Sequence, residues 1–483
     1  MSGSPVNSSA AGASPAPASP EDVPTANGHT AGLTATSSVT ASGLATNGLA
    51  TNGLATNGLA TSASNGRHRG EPSATPSAAE WTESIASRAG EAGLKRVGMV
   101  AWRDLDDPEA GGSELHAHEI ASRWAAAGIE VVMRTSAVDG APRAGRRQGY
   151  EFVRSAGRYR VFAQAPLEMV AGRFGPIGRL DGLVEIWNGM PFLSPIWWRG
   201  PRLVFLHHVH AEMWKMVLPP RLAAMGNTLE SRWAPPFYRG TRIVTLSDSS
   251  RQEIVEGLGM RADLVSVVPP GVDRQFGRDG LGTKPSSKAD HPLVVAVGRL
   301  VPVKQFDRLI AAAAPLATLH PDLEVVIVGE GYERAALEAA IDEAGVRNVV
   351  RLVGRLEADE LVALYRRAWV LASTSAREGW GMTVTEAAAC GTPAVVSRIA
   401  GHLDAVEDGV TGLLFDNEDQ FIKGIDRMLA DSSLRRRLSK AAHDRARQFS
   451  WEATALGTLE LLAAEASRRR PRSALRVSPT PRS

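Results

Sequence analysis

The sequence predicts an α/β protein of two doubly wound domains, each a parallel sheet with helices on both faces. Three observations lead there. From Arg96 onward, short apolar runs alternate with amphipathic helical stretches, the pattern of repeated strand-helix-strand units. The alternation breaks once, between Asp273 and His291, in a stretch rich in Gly, Lys, Ser and Asp, and then restarts. Finally, 483 residues with 43% hydrophobic content are more than one core usually holds.

In chain order, residues 1–92 are predicted as a low-complexity tail without fixed structure. Ala, Ser, Thr, Gly, Pro and Asn dominate it, and tandem pentapeptides at 44–48, 49–53 and 54–58 bring one Leu each, too little apolar surface to offset chain entropy. Residues 93–273 form the first α/β domain, with strands predicted at 97–102, 129–134, 183–187, 203–206, 242–246 and 264–268 and a helix at 113–127. Residues 274–290 read as the linker. The second domain, 291–450, has strands predicted at 293–297, 323–328, 349–353, 370–372 and 394–397, and helices at 306–319, 333–344, 358–367, 420–429 and 434–448. A closing helix at 451–467 precedes a basic tail, 468–483, also predicted disordered.

Composition narrows the function classes. A formal net charge of +2 gives no reason to expect nucleic acid as a partner. The single cysteine, Cys390, excludes an intramolecular disulfide and a zinc site built on several thiolates, and it points to a reducing cytoplasm. No uncharged apolar run approaches the roughly 20 residues that span a bilayer. The first basic residue, Arg67, comes too late for the n-region of an export signal. The expectation is a cytoplasmic protein.

In an open α/β sheet, ligands bind beyond the carboxyl ends of the strands, so polar residues just after predicted strands carry most weight. Gly298-Arg299-Leu300 ends one strand, and Lys304 follows Arg299 by five positions before the next helix. Two fixed cations there suit a diphosphate. At an effective dielectric near 20, a cation about 4 Å from a phosphate oxygen contributes on the order of 4 kcal/mol before desolvation. Solvated loop residues are the plain alternative. Further on, Glu378 and Glu386 flank Gly379, Gly381, Met382 and Thr383 at a turn leading into a helix. Amides at such a helix start attract phosphate, and carboxylates beside them accept hydrogen bonds from sugar hydroxyls. Alone, the pair of glutamates also occurs by chance.

In the first domain, Gly111-Gly112-Ser113 marks a helix N-terminus whose small residues let a phosphate or a reacting sugar approach the backbone. N-capping by Ser113 is the other reading. His207 follows the apolar run 203–206 and so projects from a strand's carboxyl end into the expected cleft.

The order of these motifs, Gly298-Arg299-Leu300 with Lys304, then Gly354-Arg355-Leu356, then Glu378 and Glu386, resembles glycosyltransferase family 4. Gly111-Gly112-Ser113-Glu114 and Pro269-Pro270-Gly271-Val272-Asp273 at the domain junction belong to the same likeness, which spans about 97–451. It implies the GT-B fold, two Rossmann-like domains facing a cleft. It also implies a retaining hexosyltransferase. Its donor would be a nucleotide-diphosphate sugar of the GDP-mannose or UDP-glucose type, and its acceptor a glycan, a lipid or a small molecule.

By that resemblance, Arg299 and Lys304 grip the donor diphosphate, Glu378 contacts the transferred sugar and Glu386 accepts from the ribose hydroxyls. The amides of Gly381, Met382 and Thr383 line the sugar and phosphate, Arg355 and Leu356 flank the base, and Gly112 and Ser113 complete the donor side. His207 matches the family's histidine beside the sugar and joins Arg299, Lys304 and Glu378 as the catalytic set. No bound cofactor and no metal are implied, the nucleotide sugar being a co-substrate. Gln305, where the family often has glycine, and Trp380, in place of the commoner phenylalanine, alter shape near the donor. A nucleotide-sugar epimerase of the same fold and a non-catalytic nucleotide-sugar-binding protein are the alternative readings.

Three features fall outside this set. His207, His208 and His210 are not spaced as a recognised zinc site. Asp104-Leu105-Asp106 spells the Asp-x-Asp of metal-dependent glycosyltransferases, yet it follows the first strand of the first domain, away from the expected diphosphate, and reads as a loop coincidence. Five of the eleven tryptophans fall between Trp187 and Trp233 among arginines and prolines. That segment fits an acceptor pocket, a peripheral contact with the inner face of the cell membrane, or an aromatic core with looped insertions.

Overall fold

The computed structural model describes residues 76–469 apart from 176, 212 and 278–286. Its first sheet has eight strands: β1 (Arg96–Val100), β2 (Glu130–Thr135), β3 (Ala144–Arg147), β4 (Tyr150–Arg154), β5 (Gly182–Ile186), β6 (Arg202–Phe205), β7 (Ile243–Thr245) and β8 (Val265–Val267). Their order is β3-β4-β2-β1-β5-β6-β7-β8, and all pairs are parallel except β3 with β4. The predicted parallel core is present. The antiparallel β3–β4 hairpin was not predicted, because Ala144–Arg147 is polar and exposed and has no apolar alternation to read.

The helices of this domain are α1 (Ala78–Ala92), α2 (Gly112–Ala126), α3 (Val161–Val170), α4 (Ser194–Trp197), α5 (Met213–Val217), α6 (Pro220–Thr228), α7 (Pro235–Tyr238) and α8 (Asp248–Gly257). A π-helical turn, Leu229–Trp233, joins α6 to α7. The first helix corrects the expectation that 1–92 is unstructured; residues 1–75 lie outside the described residues. Ser77 caps α1 and Glu80 returns a bond to the Ser77 amide at 2.6 Å, a capping box that satisfies two otherwise orphaned donors. Ile85, Ala89 and Ala92 form a buried stripe. Its partner comes from the far end of the chain, so local composition could not reveal it.

The second sheet has six parallel strands in the order β11-β10-β9-β12-β13-β14. They are β9 (Leu293–Val297), β10 (Glu324–Val328), β11 (Val350–Gly354), β12 (Val370–Ser373), β13 (Ala394–Ser397) and the unpredicted β14 (Gly412–Phe415). Around them pack α9 (Phe306–Leu319), α10 (Arg334–Glu343), α11 (Ala358–Arg367), α12 (Met382–Ala389), α13 (His402–Ala405), α14 (Glu418–Ala430) and α15 (Ser432–Ala446). Buried Val, Ile and Leu on β9 and β10 meet Phe306, Leu309 and Ile310 of α9 on one face, and Tyr365 and Val384 on the other. Each such side chain contributes about 1.5–3 kcal/mol by leaving water.

The last helix, α16 (Trp451–Arg469), returns to the first domain and packs on α1, α2 and β6. Leu459 and Leu462 join Ile120 and Trp124 in its core, and the Trp124 indole donates to the Ala455 carbonyl at 2.9 Å. The chain thus crosses between domains twice, and the crossings touch. A Cβ on Gly271 would lie 2.1 Å from the Trp451 nitrogen, which only glycine permits. The Thr454 hydroxyl donates to the Pro269 carbonyl at 2.8 Å. Beyond Asp273 the chain is already pinned to the second domain: Phe276 is buried and meets Tyr365 edge to face. Of the expected linker, 278–286 lies outside the described residues, as does 470–483 of the basic tail; Arg468 and Arg469 belong to α16. No described helix is long and apolar enough to cross a membrane.

Candidate active site

The carboxyl ends of both sheets face each other. On the second domain, β9 ends at Val297, and Gly298 and Arg299 follow; a 3-10 turn, Pro302–Lys304, then presents Lys304 before α9. Two glycines after β10 hold this turn. A Cβ on Gly329 would lie 1.8 Å from the Gly298 carbonyl oxygen, and one on Gly331 would lie 2.2 Å from that of Leu300. The sequence signal was there, a Gly-x-Gly directly after a predicted strand, but sequence reasoning missed it. Gln305 sits at φ +48, a left-handed conformation that favours glycine, which accounts for the family's usual residue at that position.

Lys304 Nζ is ion-paired with Glu378 Oε1, and Ser375 Oγ donates to the same oxygen at 2.8 Å. Burial pushes the Glu378 carboxyl up, but the charges of Lys304 and His402 and the bonds from Lys304 and Ser375 together hold it below the usual range. His402, on α13, was not foreseen; it is buried, and a Cβ on Gly381 would lie 2.9 Å from its ring. Gly381 has φ +101 and caps α12, so Met382 and Thr383 open that helix, where the first backbone amides have no partner within it. Glu386 lies one turn further, where the Tyr365 hydroxyl donates to it at 3.2 Å. Burial pushes the Glu386 carboxyl up to about 7, the Tyr365 bond partly opposing and Asp273 adding.

Arg299 does not join the Lys304–Glu378 pair. Its guanidinium donates across the cleft to the Glu109 carbonyl at 3.0 Å and lies against Gly111, where a Cβ would be 3.1 Å from Nε. A Cβ on Gly112 would meet Met382 at 2.9 Å. The glycine turn of the first domain therefore closes directly onto Arg299 and the start of α12. Ser113 is not the N-cap of α2. That position is Gly111, whose amide donates to Glu114 at 2.8 Å, and the Ser113 hydroxyl instead bonds Glu114 and Asn188.

His207 follows β6 and presses its carbonyl on the loop that carries Glu378; a Cβ on Gly379 would lie 2.6 Å from that oxygen. Its Nε2 is 3.2 Å from Nδ1 of His116, a residue of α2 that sequence reasoning did not single out, and its Nδ1 has no hydrogen-bond partner. Burial lowers the His207 pKa to about 4, so the ring is neutral near pH 7. Further bonds cross the cleft. Ser247 Oγ donates to the Gly379 carbonyl at 3.1 Å, and Asp404 accepts from the amides of Asp248 and Ser249 at the start of α8.

Arg355 and Leu356 lie apart from this cluster, after β11, two strands from β9. Arg355 is exposed, and Leu356 lines a hollow of about 150 Å³ with Val326, Val353 and Leu364. The Asp-x-Asp carboxylates are turned away from the cleft cations: Asp104 is buried between Arg147 and Arg154 of the β3–β4 hairpin at 3.0 and 2.7 Å, and Asp106 pairs with the same arginines. His208 and His210 stack on each other, and Glu230 accepts from the His210 amide at 2.9 Å. Among the described residues, no three of His, Cys, Asp and Glu are grouped to hold a metal ion.

Comparison with known proteins follows the division into domains. The family described as Glycosyltransferase Family 4 matches residues 110–276, and Glycosyl transferases group 1 matches 282–445. A GLTT repeat family matches 32–62, outside the described residues. A D-inositol 3-phosphate glycosyltransferase of Kribbella flavida is 30% identical over 410 residues, 76% of this chain and 95% of that protein. One from Acidothermus cellulolyticus is 34% identical over 233 residues, 45% of this chain and only 52% of the relative. Among solved structures, sucrose-phosphate synthase from Thermosynechococcus elongatus superposes with a TM-score of 0.63 at 21% identity, over 75% of this chain and 97% of that one. WaaG, a glycosyltransferase involved in lipopolysaccharide biosynthesis, gives 0.62 at 19% identity, over 76% and 99%. Both share the fold.

Proposed function

The chain belongs to glycosyltransferase family 4, and from that premise we propose that it transfers a hexose from a nucleotide-diphosphate sugar, with retention of configuration, to an acceptor held by the first domain. The observation that carries this reading is the convergence of Lys304, Glu378 and the α12 amides beyond the strand ends, under an Arg299 that the Gly111-Gly112 turn closes upon. In this reading the diphosphate displaces the Lys304–Glu378 pairing and takes Lys304 and Arg299 as its counter-charges. Those cations stabilise the charge that grows on the leaving group, the part a metal ion plays elsewhere. Glu378, released from Lys304, accepts from a sugar hydroxyl, and Glu386 accepts from the ribose.

No side chain stands as a covalent nucleophile in this proposal. The departing diphosphate deprotonates the acceptor on the face it leaves, while the neutral His207 ring lines the sugar. Acceptors in scope are glycans, lipids and small molecules; the relatives' name puts a phosphorylated polyol among them. A structure of the same fold, Anabaena HepE, was solved with UDP and glucose, so UDP is the first nucleotide to try. The proposed compartment is the cytoplasm, in keeping with one buried cysteine.

The test is ligand-induced thermal shift of the full chain with UDP, GDP, ADP and their sugar conjugates in EDTA, beside Arg299→Ala and Glu386→Ala. Stabilisation by one nucleotide, lost in both variants, supports the donor site and identifies the base. No shift with any nucleotide, or a shift that needs added divalent metal, overturns the reading.

A further inference from the structure

Outside the cleft, the first domain carries a run of short helical elements with apolar tips. α3 packs on α4, α4 on α7, α7 on the π-helical turn and that turn on α6, so the elements are continuous along the surface. Leu167 is 73% exposed, Ile196 57%, Leu222 46%, Met225 57%, Trp233 62% and Phe237 50%. Scattered single apolar residues are ordinary, but six large ones on adjoining elements mark an interaction surface.

Its charge identifies the partner. Arg160, Arg199, Arg221, Arg232 and Arg239, on or beside these elements, are exposed, and none pairs with a carboxylate among the described residues. The same elements bear only two carboxylates, and both are turned inward. Glu168 pairs with the buried Arg134, and Glu230 is itself buried under loop amides. The surface is thus apolar tips interleaved with unpaired arginines, without the mixed charge of a protein interface. Aromatic and guanidinium groups in that arrangement suit a headgroup region, the rings at the acyl boundary and the cations among phosphates.

We propose that this face docks on an anionic lipid bilayer. The face adjoins the cleft: α6 packs on α5, and α5 packs on the turn that carries Lys304. Docking therefore sets the cleft mouth at the membrane surface, within reach of an acceptor held there. The idea stands on the surface alone, and a failed donor-binding test would not touch it.

The test uses the full chain and vesicles of phosphatidylcholine with or without roughly one third phosphatidylglycerol, read by co-sedimentation. Binding to the anionic vesicles, weak on neutral ones and falling with added salt, is expected. Each basic residue near an anionic leaflet is worth about a fivefold gain in partitioning. Arg221→Glu/Arg232→Glu should therefore lower it at least about tenfold, as should Trp233→Ser/Phe237→Ser, with thermal unfolding and nucleotide-induced stabilisation unchanged. No binding to anionic vesicles overturns the proposal. So does wild-type binding by both double variants, which would place the contact on the basic residues after 469, and so does a solution dimer that these variants dissociate.

Discussion

Lys304 and Glu378 are each other's counter-ion on the cleft floor, with Ser375 donating to the shared carboxylate oxygen at 2.8 Å. Ion-pairing keeps both charges in place at a half-buried position where either alone would be costly. In the proposed reaction it also sets the order of events, a diphosphate taking Lys304 from Glu378 before Glu378 turns to a sugar.

Lys304→Ala is expected to reduce turnover by roughly a hundredfold, the scale of losing one preorganised group at a developing oxyanion. Initial rates of transfer, or of slow donor hydrolysis without acceptor, measure it. Wild-type rates would remove Lys304 from the mechanism.

Glu386 predicts a pH dependence. In the proposed complex its ionised form is the stronger acceptor for the ribose hydroxyls, and burial raises its pKa to about 7. Nucleotide affinity should rise through about pH 7 and level off above it, falling toward tenfold per unit below. For stability the sign is opposite. The folded pKa lies above the ordinary glutamate value of 4.5, so the stabilising contribution is full below about 4.5 and is lost as pH rises through about 7. Glu386→Gln should therefore abolish the titration of affinity yet unfold at a higher temperature than wild type at about pH 8. Calorimetric titration and thermal unfolding across this range check both halves.

Three buried histidines predict acid lability. Burial depresses the pKa of His207 and of His118 to about 4 and holds His116 well below 6.5. A group depressed on folding lends stability that is present above 6.5 and lost as pH falls toward its folded value. Urea unfolding at about pH 5 should give a free energy lower than at about pH 7, and His116→Gln should reduce that difference by at least about 1 kcal/mol. An equal loss in the variant would clear His116.

Gly379→Ala tests closure separately from donor binding. The new methyl would lie 2.6 Å from the His207 carbonyl oxygen, a backbone atom that cannot swing away. The domains should be wedged apart, with turnover reduced by about a hundredfold, as for a misplacement near 1 Å. Nucleotide affinity should change little, because Arg299, Lys304 and Glu386, which the proposal gives to the nucleotide, all lie on the second domain. Equal losses in affinity and turnover would show that the methyl disrupts the donor site itself.

The parallel strands of both sheets and the positions of the residues around Lys304 and Glu378 after them were legible in the sequence because each is local. Gly298-Arg299-Leu300 and Lys304 follow one strand, and Glu378 to Glu386 follow another. What escaped depends on distant partners. The stripe of Ile85, Ala89 and Ala92 has meaning only once α16 covers it. His116 reads as one polar residue on α2 until it meets His207, and His402 shows no role until α13 lies against Gly381. Arg299 stands just after β9, but its reach to the Glu109 carbonyl belongs to the opposite domain and no spacing predicts it.

The return of α16 to the first domain also governs how the chain matures during synthesis. The core around Ile120 and Trp124 lacks one wall until Leu459 and Leu462 arrive. The ribosome must therefore deliver the whole second domain before the first can close. The domain made first is finished last, and until then its apolar floor is open to chaperones and to wrong neighbours. A polypeptide that stops short of Trp451 leaves that half unfinished, however complete its own strands.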